Sequence, residues 1–482
     1  MIFILILKNN IICANIVSII DLLKKDVKLK IIVNGCGKVG KTMIESLTLE
    51  GHDVVAIDTD TAVLSEISNR YDIACINGNG ADSDILIESG ISDAELFVSV
   101  AGSDELNMLS CFLAKKLGAA HTIARIRTPD YNDKSLATIR QQFDLSMAIN
   151  PELLAAHEIF NILQLPSAVN VETFSRRNFE MVELRIKEGS GLDGLSLLDF
   201  RKKYSANFIV CAVKRDDKGY IPDGKFVLKA GDRIGISATP TEILKLLKSL
   251  GMFKKQAKKI LILGASRTAY YLAKMLASIG SDVKIIDKSQ ARCVDFAKRL
   301  ENVAIIHGNG TNQELLSEEG LDVIDAFVGL TGMDEENILL AFYAASHNVP
   351  KNIAKVNNIE LASMAEKLGL ESIISPQNIV TNIILSYARA LQNSIGSNVE
   401  TLYKLMDGSV EALEFNVTDN FEFLKIPLKN MNLRKNTLIA GIIRGRKAII
   451  PTGEDYILPN DKVIVIAADR RAYDLSDIIE RQ

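Results

Sequence analysis

From residue 30 to residue 125, short β-branched apolar runs alternate with longer segments whose apolar positions recur every three to four residues. The runs read KIIVNG, DVVAID, IACING, LFVSVA and TIARI. Between them stand KVGKTMIESLTLEG, TAVLSEISNRY, SDILIESG and DELNMLSCFLAKKLG, each closing near a glycine or a turn. Near-continuous apolar strands separated by helical-period segments predict a parallel sheet of five strands with helices on both faces. From about residue 170 the pattern changes. FEMVELRI and NFIVCAVKR show period two, and the turn-rich PDG and KAGD precede RIGISA. That change predicts a small α+β domain.

The whole plan then recurs. KIIVNGCGKVG from Lys30 aligns with KILILGASRTA from Lys259 at an offset of 229. INGNGAD aligns with IHGNGTN and SVAGSDELNML with GLTGMDEENIL, both at 230. INPELLAA pairs with ISPQNIVTN at 225, and PDGKFVLKAGDRIGISA with PTGEDYILPNDKVIVIAA at 229. Five blocks in one order at nearly constant spacing are a tandem duplication. The expected organisation is α/β, with two tandem Rossmann-like doubly wound domains (30–150 and 259–380), each followed by a small α+β domain (165–250 and 398–482). Residues 1–29 form a leader. The lysine-rich KLLKSLGMFKKQAKKI from Lys245 reads as a solvated connector.

Composition narrows the function. Lys and Arg total 56 against 60 Asp and Glu, a net charge of −4, which argues against a general nucleic-acid binder. The six cysteines form no CxxC pair, and the five histidines have no metal-ligand spacing. The expectation is buried free thiols in a reducing compartment. The apolar run at the N-terminus breaks at Lys8, Asn9 and Asn10, short of the roughly 20 apolar residues a spanning helix needs. The chain therefore reads as soluble.

The candidate chemistry lies in the glycine loops. Gly35, Gly37 and Gly40 follow a strand and open a helix, the setting in which such spacing binds a dinucleotide. Gly35 suits the tight turn, Gly37 the close approach of a pyrophosphate, and Gly40 the packing of helix on strand. Cys36, Lys38 and Val39 complete the loop. Asp58 stands 23 residues beyond Gly35, where a carboxylate accepts ribose hydroxyls and repels a 2′-phosphate. NAD(H), ATP and ADP are thus preferred over NADP(H). In copy two Gly264 and Asp287 keep that spacing, but Ser266 replaces the second glycine and Ala269 the third. Gly78 and Gly80 shape the loop after the third strand, and Asp82 could reach a base or ribose. Ala101 opens AGSDELN after the fourth strand, where Asp104 reads as a helix N-cap and Asn107 as facing the cleft. Lys38 and Arg125, with counterparts Arg267 and Lys355, could point at phosphates.

Hydride-transfer machinery is hard to find. Tyr270 and Lys274 form a Tyr-xxx-Lys on the helix that opens from the second loop, away from any substrate. His121 and His157 have no obvious carboxylate partner, and no GxxxxGK[ST] loop occurs. The site reads as built to hold a nucleotide without changing it. An NAD-dependent oxidoreductase is the competing class.

The duplicated unit, followed by PDGKFVLKAGDRIGI, resembles the RCK (regulator of potassium conductance) plan. Two such units in one chain are similar to the peripheral nucleotide-binding subunits of Trk-type potassium uptake systems, the TrkA family. The resemblance covers residues 30–482. It implies a cytoplasmic ring of such subunits, peripheral on the inner face of the plasma membrane and docked under a membrane potassium-translocating partner. It also implies Gly35, Gly37, Gly40, Asp58, Asp82 and Arg125 as nucleotide contacts. The GASRTA loop and the leader depart from the family pattern. A gating ring for another ion would use the same fold.

Overall fold

The structure, a computed structural model, describes residues 28–129, 133–165, 168, 170–174, 179–216, 218–252, 256–394, 399–468, 472 and 474–480. Most of the leader lies outside the described residues.

The first Rossmann-like domain runs β1 (Lys30–Asn34), α1 (Lys38–Leu49), β2 (Asp53–Asp58), α2 (Thr61–Arg70), β3 (Ala74–Asn77), α3 (Ser83–Glu88), β4 (Leu96–Ser99), α4 (Asp104–Lys116), β5 (His121–Arg125), α5 (Asp133–Gln142), β6 (Met147–Ile149) and α6 (Pro151–Gln164). Its sheet has the order β3-β2-β1-β4-β5-β6. β1 pairs parallel with both β2 and β4, so the chain reverses its winding there. In open α/β sheets that switch point is where ligands bind, at the carboxyl ends of the strands. β1 holds the centre because Ile31, Ile32 and Val33 are buried. The sheet has six strands where the apolar pattern predicts five. β6 is three residues long, too short to show a period.

The first small domain comprises β7 (Asn170–Phe174), β8 (Phe179–Arg185), α7 (Leu197–Lys203), β9 (Ile209–Arg215), β10 (Lys218–Tyr220), β11 (Arg233–Ala238) and α8 (Pro240–Ser249). Its antiparallel sheet has the order β10-β9-β11-β8-β7. The lysine-rich stretch is only partly a connector. Lys245 and Lys248 lie on α8, whose Ile243, Leu246 and Leu247 are buried, and Lys259 opens the next strand.

The second copy repeats the plan with β12 (Lys259–Leu263), α9 (Arg267–Ser278), β13 (Asp282–Asp287), α10 (Gln290–Arg299), β14 (Val303–His307), α11 (Gln313–Glu318), β15 (Ala326–Gly329), α12 (Asp334–Ser346), β16 (Lys351–Lys355), α13 (Ile359–Lys367), β17 (Ser372–Ile374) and α14 (Pro376–Ser394). The order β14-β13-β12-β15-β16-β17 matches the first sheet strand for strand. The second small domain has β18 (Val399–Leu405), β19 (Val410–Asn416), β20 (Thr437–Arg444), β21 (Lys447–Ile449) and β22 (Lys462–Ala467), in the order β18-β19-β22-β20-β21.

The chain forms two compact units that do not follow the repeat. One holds the described residues up to 124, together with those of 136–148 and 385–399. The other holds the described residues of 125–135, 149–384 and 400–482. In the first unit, Arg389 on the distal half of α14 donates from Nε and Nη2 to the two carboxylate oxygens of Glu50, at 2.9 and 2.8 Å. Both side chains are nearly inaccessible, at 4 and 6% exposure. In the second unit, Ala155, Ala156, Ile159 and Ile162 of α6 share a core with Ala269, Leu272 and Leu276 of α9. The two small domains also share one core, in which Phe179, Phe200 and Ile236 join Ala412, Ile464 and Ile466. Gly441 is required there, because a Cβ would lie 2.6 Å from Phe179 Cζ. An arginine fork recurs in both. Arg215 grips Asp232 at 2.6 and 2.7 Å, and Arg444 grips Asp461 at 2.8 and 2.9 Å.

The Glu50–Arg389 pair yields a stability prediction. Arg389→Ala takes the guanidinium from a buried carboxylate and should cost about 3–5 kcal/mol. Glu50→Leu combined with Arg389→Met should recover most of that loss, read as the thermal unfolding midpoint of the full chain.

Candidate functional site

In the first copy β1 ends at Asn34 and the chain turns through Gly35, which has φ +94°. A Cβ there would sit 2.6 Å from the backbone nitrogen of Ala101. The Gly35 N–H donates to the carbonyl of Ile57 at 2.9 Å. Gly40, inside the first turn of α1, lies so close beneath this turn that a Cβ would come 2.0 Å from the Gly35 oxygen. Gly37 is the N-cap of α1, and a Cβ there would meet nothing within 4 Å. Its lack of a side chain leaves the helix start without a side-chain cap. Free N–H groups and the helix dipole at such an end attract anions. Lys38, the first residue of α1, is exposed beside it, and Val39 is half-buried.

Asp58 holds the loop from the neighbouring strand. Its Oδ2 accepts the Cys36 N–H at 2.6 Å, and its Oδ1 the Asp60 N–H at 2.9 Å. The Cys36 side chain is buried under the loop, where burial first and the Asp58 charge second push its thiol up to about 12. The thiol is therefore protonated at neutral pH, and the loop presents backbone.

Several side chains differ from the sequence reading. Ser103, and not Asp104, caps α4, accepting the Leu106 N–H at 3.3 Å. Asn107 does not face a cleft. It is fully buried, donates to the Ala101 carbonyl at 3.2 Å and accepts from Ser99 at 2.9 Å. Asn34 donates to Ser99 at 2.9 Å, so Asn34, Ser99 and Asn107 form a buried polar chain under the carboxyl edge of the sheet. Gly80 packs on it, for a Cβ there would lie 2.2 Å from Asn34. Asp82 caps α3, accepting the Asp84 N–H at 2.9 Å. Arg125 is the half-buried last residue of β5.

Copy two keeps the backbone and alters the side chains. Gly264 has φ +97°, and Asp287 Oδ2 accepts the Ala265 N–H at 2.7 Å. Ser266 now caps its own helix, its hydroxyl accepting the Ala269 N–H at 3.3 Å. Asp287 is buried and ion-paired with Arg292, whose Nη2 stands 2.9 Å away. No motif singles out Arg292 in the sequence; the signal that exposes it is the contrast with its counterpart in copy one, Val63.

The histidine and tyrosine candidates for acid–base work lie elsewhere. His121 opens β5, at the edge opposite the glycine loop, where its Nδ1 pairs with the Tyr387 hydroxyl at 3.0 Å. Tyr270 packs edge-to-face on Phe296. Among the described residues no three His, Cys, Asp or Glu side chains gather as metal ligands would. No described helix is long and apolar enough to cross a membrane.

Two predictions come from this geometry. Gly37→Ala should fold with a midpoint close to the parent, whereas Gly40→Ala, which drives a methyl into the loop, should cost about 1–3 kcal/mol; thermal melts of both compare them directly. His121 has its pKa lowered by burial and then by Lys115. The unfolded chain therefore binds its proton more readily, and stability is lost as pH falls below about 6.5. His121→Gln should show a smaller drop in midpoint between pH 7.5 and 5.5 than the parent.

The TrkA-N domain family model matches residues 31–151 and 260–376, and the TrkA-C domain model matches 181–251 and 412–480. The chain is 32% identical over 440 residues to the Trk system potassium uptake protein TrkA homolog of Archaeoglobus fulgidus, covering 91% of this chain and 97% of the relative. It is 27% identical over 448 residues to the Trk system potassium uptake protein TrkA of Halomonas elongata, covering 92 and 96%. Among solved structures it resembles the GsuK RCK domain, with TM-score 0.61, 15% identity and coverage of 92 and 93%. It also resembles the GsuK channel bound to NAD, with TM-score 0.59, 16% identity and coverage of 92 and 77%. Both family models occur twice in the duplicated order seen in the fold, and the similarity to TrkA proteins runs through nearly the whole chain: it belongs to the TrkA family of Trk-system potassium uptake proteins.

Proposed function

We propose that this chain is a non-catalytic regulatory subunit of a potassium uptake system. In this reading it binds NAD(H), ATP or ADP in the first cradle and passes that occupancy to a membrane potassium-translocating partner. The observation that carries the reading is the uncapped start of α1. Gly37 leaves open the face that a pyrophosphate needs, while Gly35 and Gly40 have no room for a side chain. Asp58 stands at the adjoining strand end, where an adenosine ribose would place its hydroxyls. Gly35, Cys36, Gly37, Lys38, Val39 and Gly40 form the phosphate loop. Gly80, Asp82, Ala101 and Arg125 are the further contacts, and Gly264 and Asp287 belong to the second cradle.

One structural neighbour of related fold, the GsuK channel, is bound to NAD, and the relatives are named for potassium uptake. Both support a regulatory ring of these chains, peripheral on the cytoplasmic face of the membrane. Among the described residues, the histidine candidate for hydride-transfer chemistry, His121, stands at the edge of the sheet opposite the glycine loop. A nucleotide can shift the partner's open–closed equilibrium only by binding the two arrangements with different affinity.

Calorimetric titration of the full chain with NADH, NAD⁺, ATP and ADP tests the reading. Binding without turnover, lost in Asp58→Ala, is the expected result; absence of binding in the parent chain would overturn it. Arg125→Ala should in addition abolish the difference between ATP and ADP affinities, the result expected where a γ-phosphate reaches Lys38 or Arg125.

A further inference from the structure

We propose that the second cradle takes a nucleotide with a phosphate on the adenosine 2′ oxygen, the NADP type, while the first takes an unphosphorylated ribose. The inference rests on the nucleotide reading of the cradles and adds the ligand class of the second. It starts from an inversion of charge at equivalent positions. In copy one the end of β2 carries Asp58, Thr59 and Asp60, with Val63 on the third position of α2 and Asn77 paired with Asp58 across β3. Two carboxylates stand there without a cation among those five residues. In copy two the same positions are Asp287, Lys288, Ser289, Arg292 on the third position of α10, and His307 paired with Asp287 across β14. One carboxylate now shares those positions with a lysine, a histidine and an arginine, and the arginine is paired with it.

The geometry of Asp287 makes the change chemical. Its Oδ1 accepts the Ser289 N–H at 2.7 Å and the Arg292 Nε–H at 3.2 Å, and its Oδ2 accepts the Ala265 N–H at 2.7 Å. A ribose hydroxyl seeking that carboxylate would have to displace the guanidinium. A 2′-phosphate, which an unneutralised carboxylate such as that of copy one would repel, would here meet an Asp287 already neutralised by the guanidinium. Two of the three guanidinium nitrogens meet Asp287, but the group has five N–H donors, and the side chain is 53% exposed. Lys288 is exposed next to it, and His307 ties that loop down through Nε2 to the Lys288 carbonyl at 3.2 Å. An arginine near this strand end is the general device by which a Rossmann site accommodates a 2′-phosphate. Ser266 acts in the same direction. Its hydroxyl occupies an N–H at the helix start that a pyrophosphate would use, so recognition moves toward the 2′-phosphate end.

The probe is 2′,5′-ADP, which carries that end without the rest of a dinucleotide. Calorimetry on the full chain, already saturated with NADH, should show 2′,5′-ADP binding at one further site per chain and at least about tenfold more tightly than ADP. Arg292→Val should weaken it by about tenfold or more, the scale of one lost charge-assisted contact. Lys288→Thr, an exposed change that spares the fold, should weaken it in the same sense and serves if the Arg292 variant does not fold. Displacement of NADH by 2′,5′-ADP, affinity no better than that for ADP, or indifference to both substitutions would overturn the proposal. If NADH itself fails to bind, the first-cradle reading falls, while titration with 2′,5′-ADP alone still decides the second.

Discussion

In each copy a carboxylate at the end of the second strand grips the first peptide N–H after a glycine turn. Asp58 does so at Cys36 and Asp287 at Ala265, at 2.6 and 2.7 Å. The turn has a positive φ and passes within contact distance of the loop after the fourth strand, so it has little other freedom. A charge-assisted bond to a peptide N–H is among the stronger hydrogen bonds. It fixes the helix start against the sheet edge, and every polar group around the cradle is placed relative to that point. The shape of each glycine loop thus depends on one side chain from the neighbouring strand.

Duplication preserved this backbone and let the side chains diverge. Copy one has an open glycine at the helix start and a buried Asn34–Ser99–Asn107 chain beneath the strand ends. Copy two has a serine that caps its own helix, Leu263 in place of Asn34, and an arginine on the carboxylate. Sheet order and register are unchanged. Two cradles of one shape therefore differ in charge at the strand end.

The small domains carry a different constraint. Residues of both pack into one apolar cluster, so part of each core is supplied by the other. The buried Glu183 shows how close the association is: it pairs with Arg233 and also accepts the Met406 N–H at 3.0 Å. A carboxylate so placed is costly unless all its partners are present. The two halves of the repeat are thus obliged to fold against one another at this point.

The sequence by itself determined the duplication, the order of strands and helices within each copy, and the identity of the loop that could meet a nucleotide. Those features are local. An apolar period, a glycine spacing and an acidic residue at a strand end are each written within about thirty residues. Only the tertiary structure decided which polar residues near the loop are buried supports. Asn107 and Asp104 look alike as residues after a strand, but the sheet buries the amide and Ser103 takes the cap. Tertiary structure also decided that α6 packs on the helix of the second copy, that α14 carries Arg389 to Glu50, and that β6 and β17 extend the sheets. The physical reason is range. A helix's period shows that one face is buried, while the surface that buries it lies hundreds of residues away and is chosen by the packing of the whole chain.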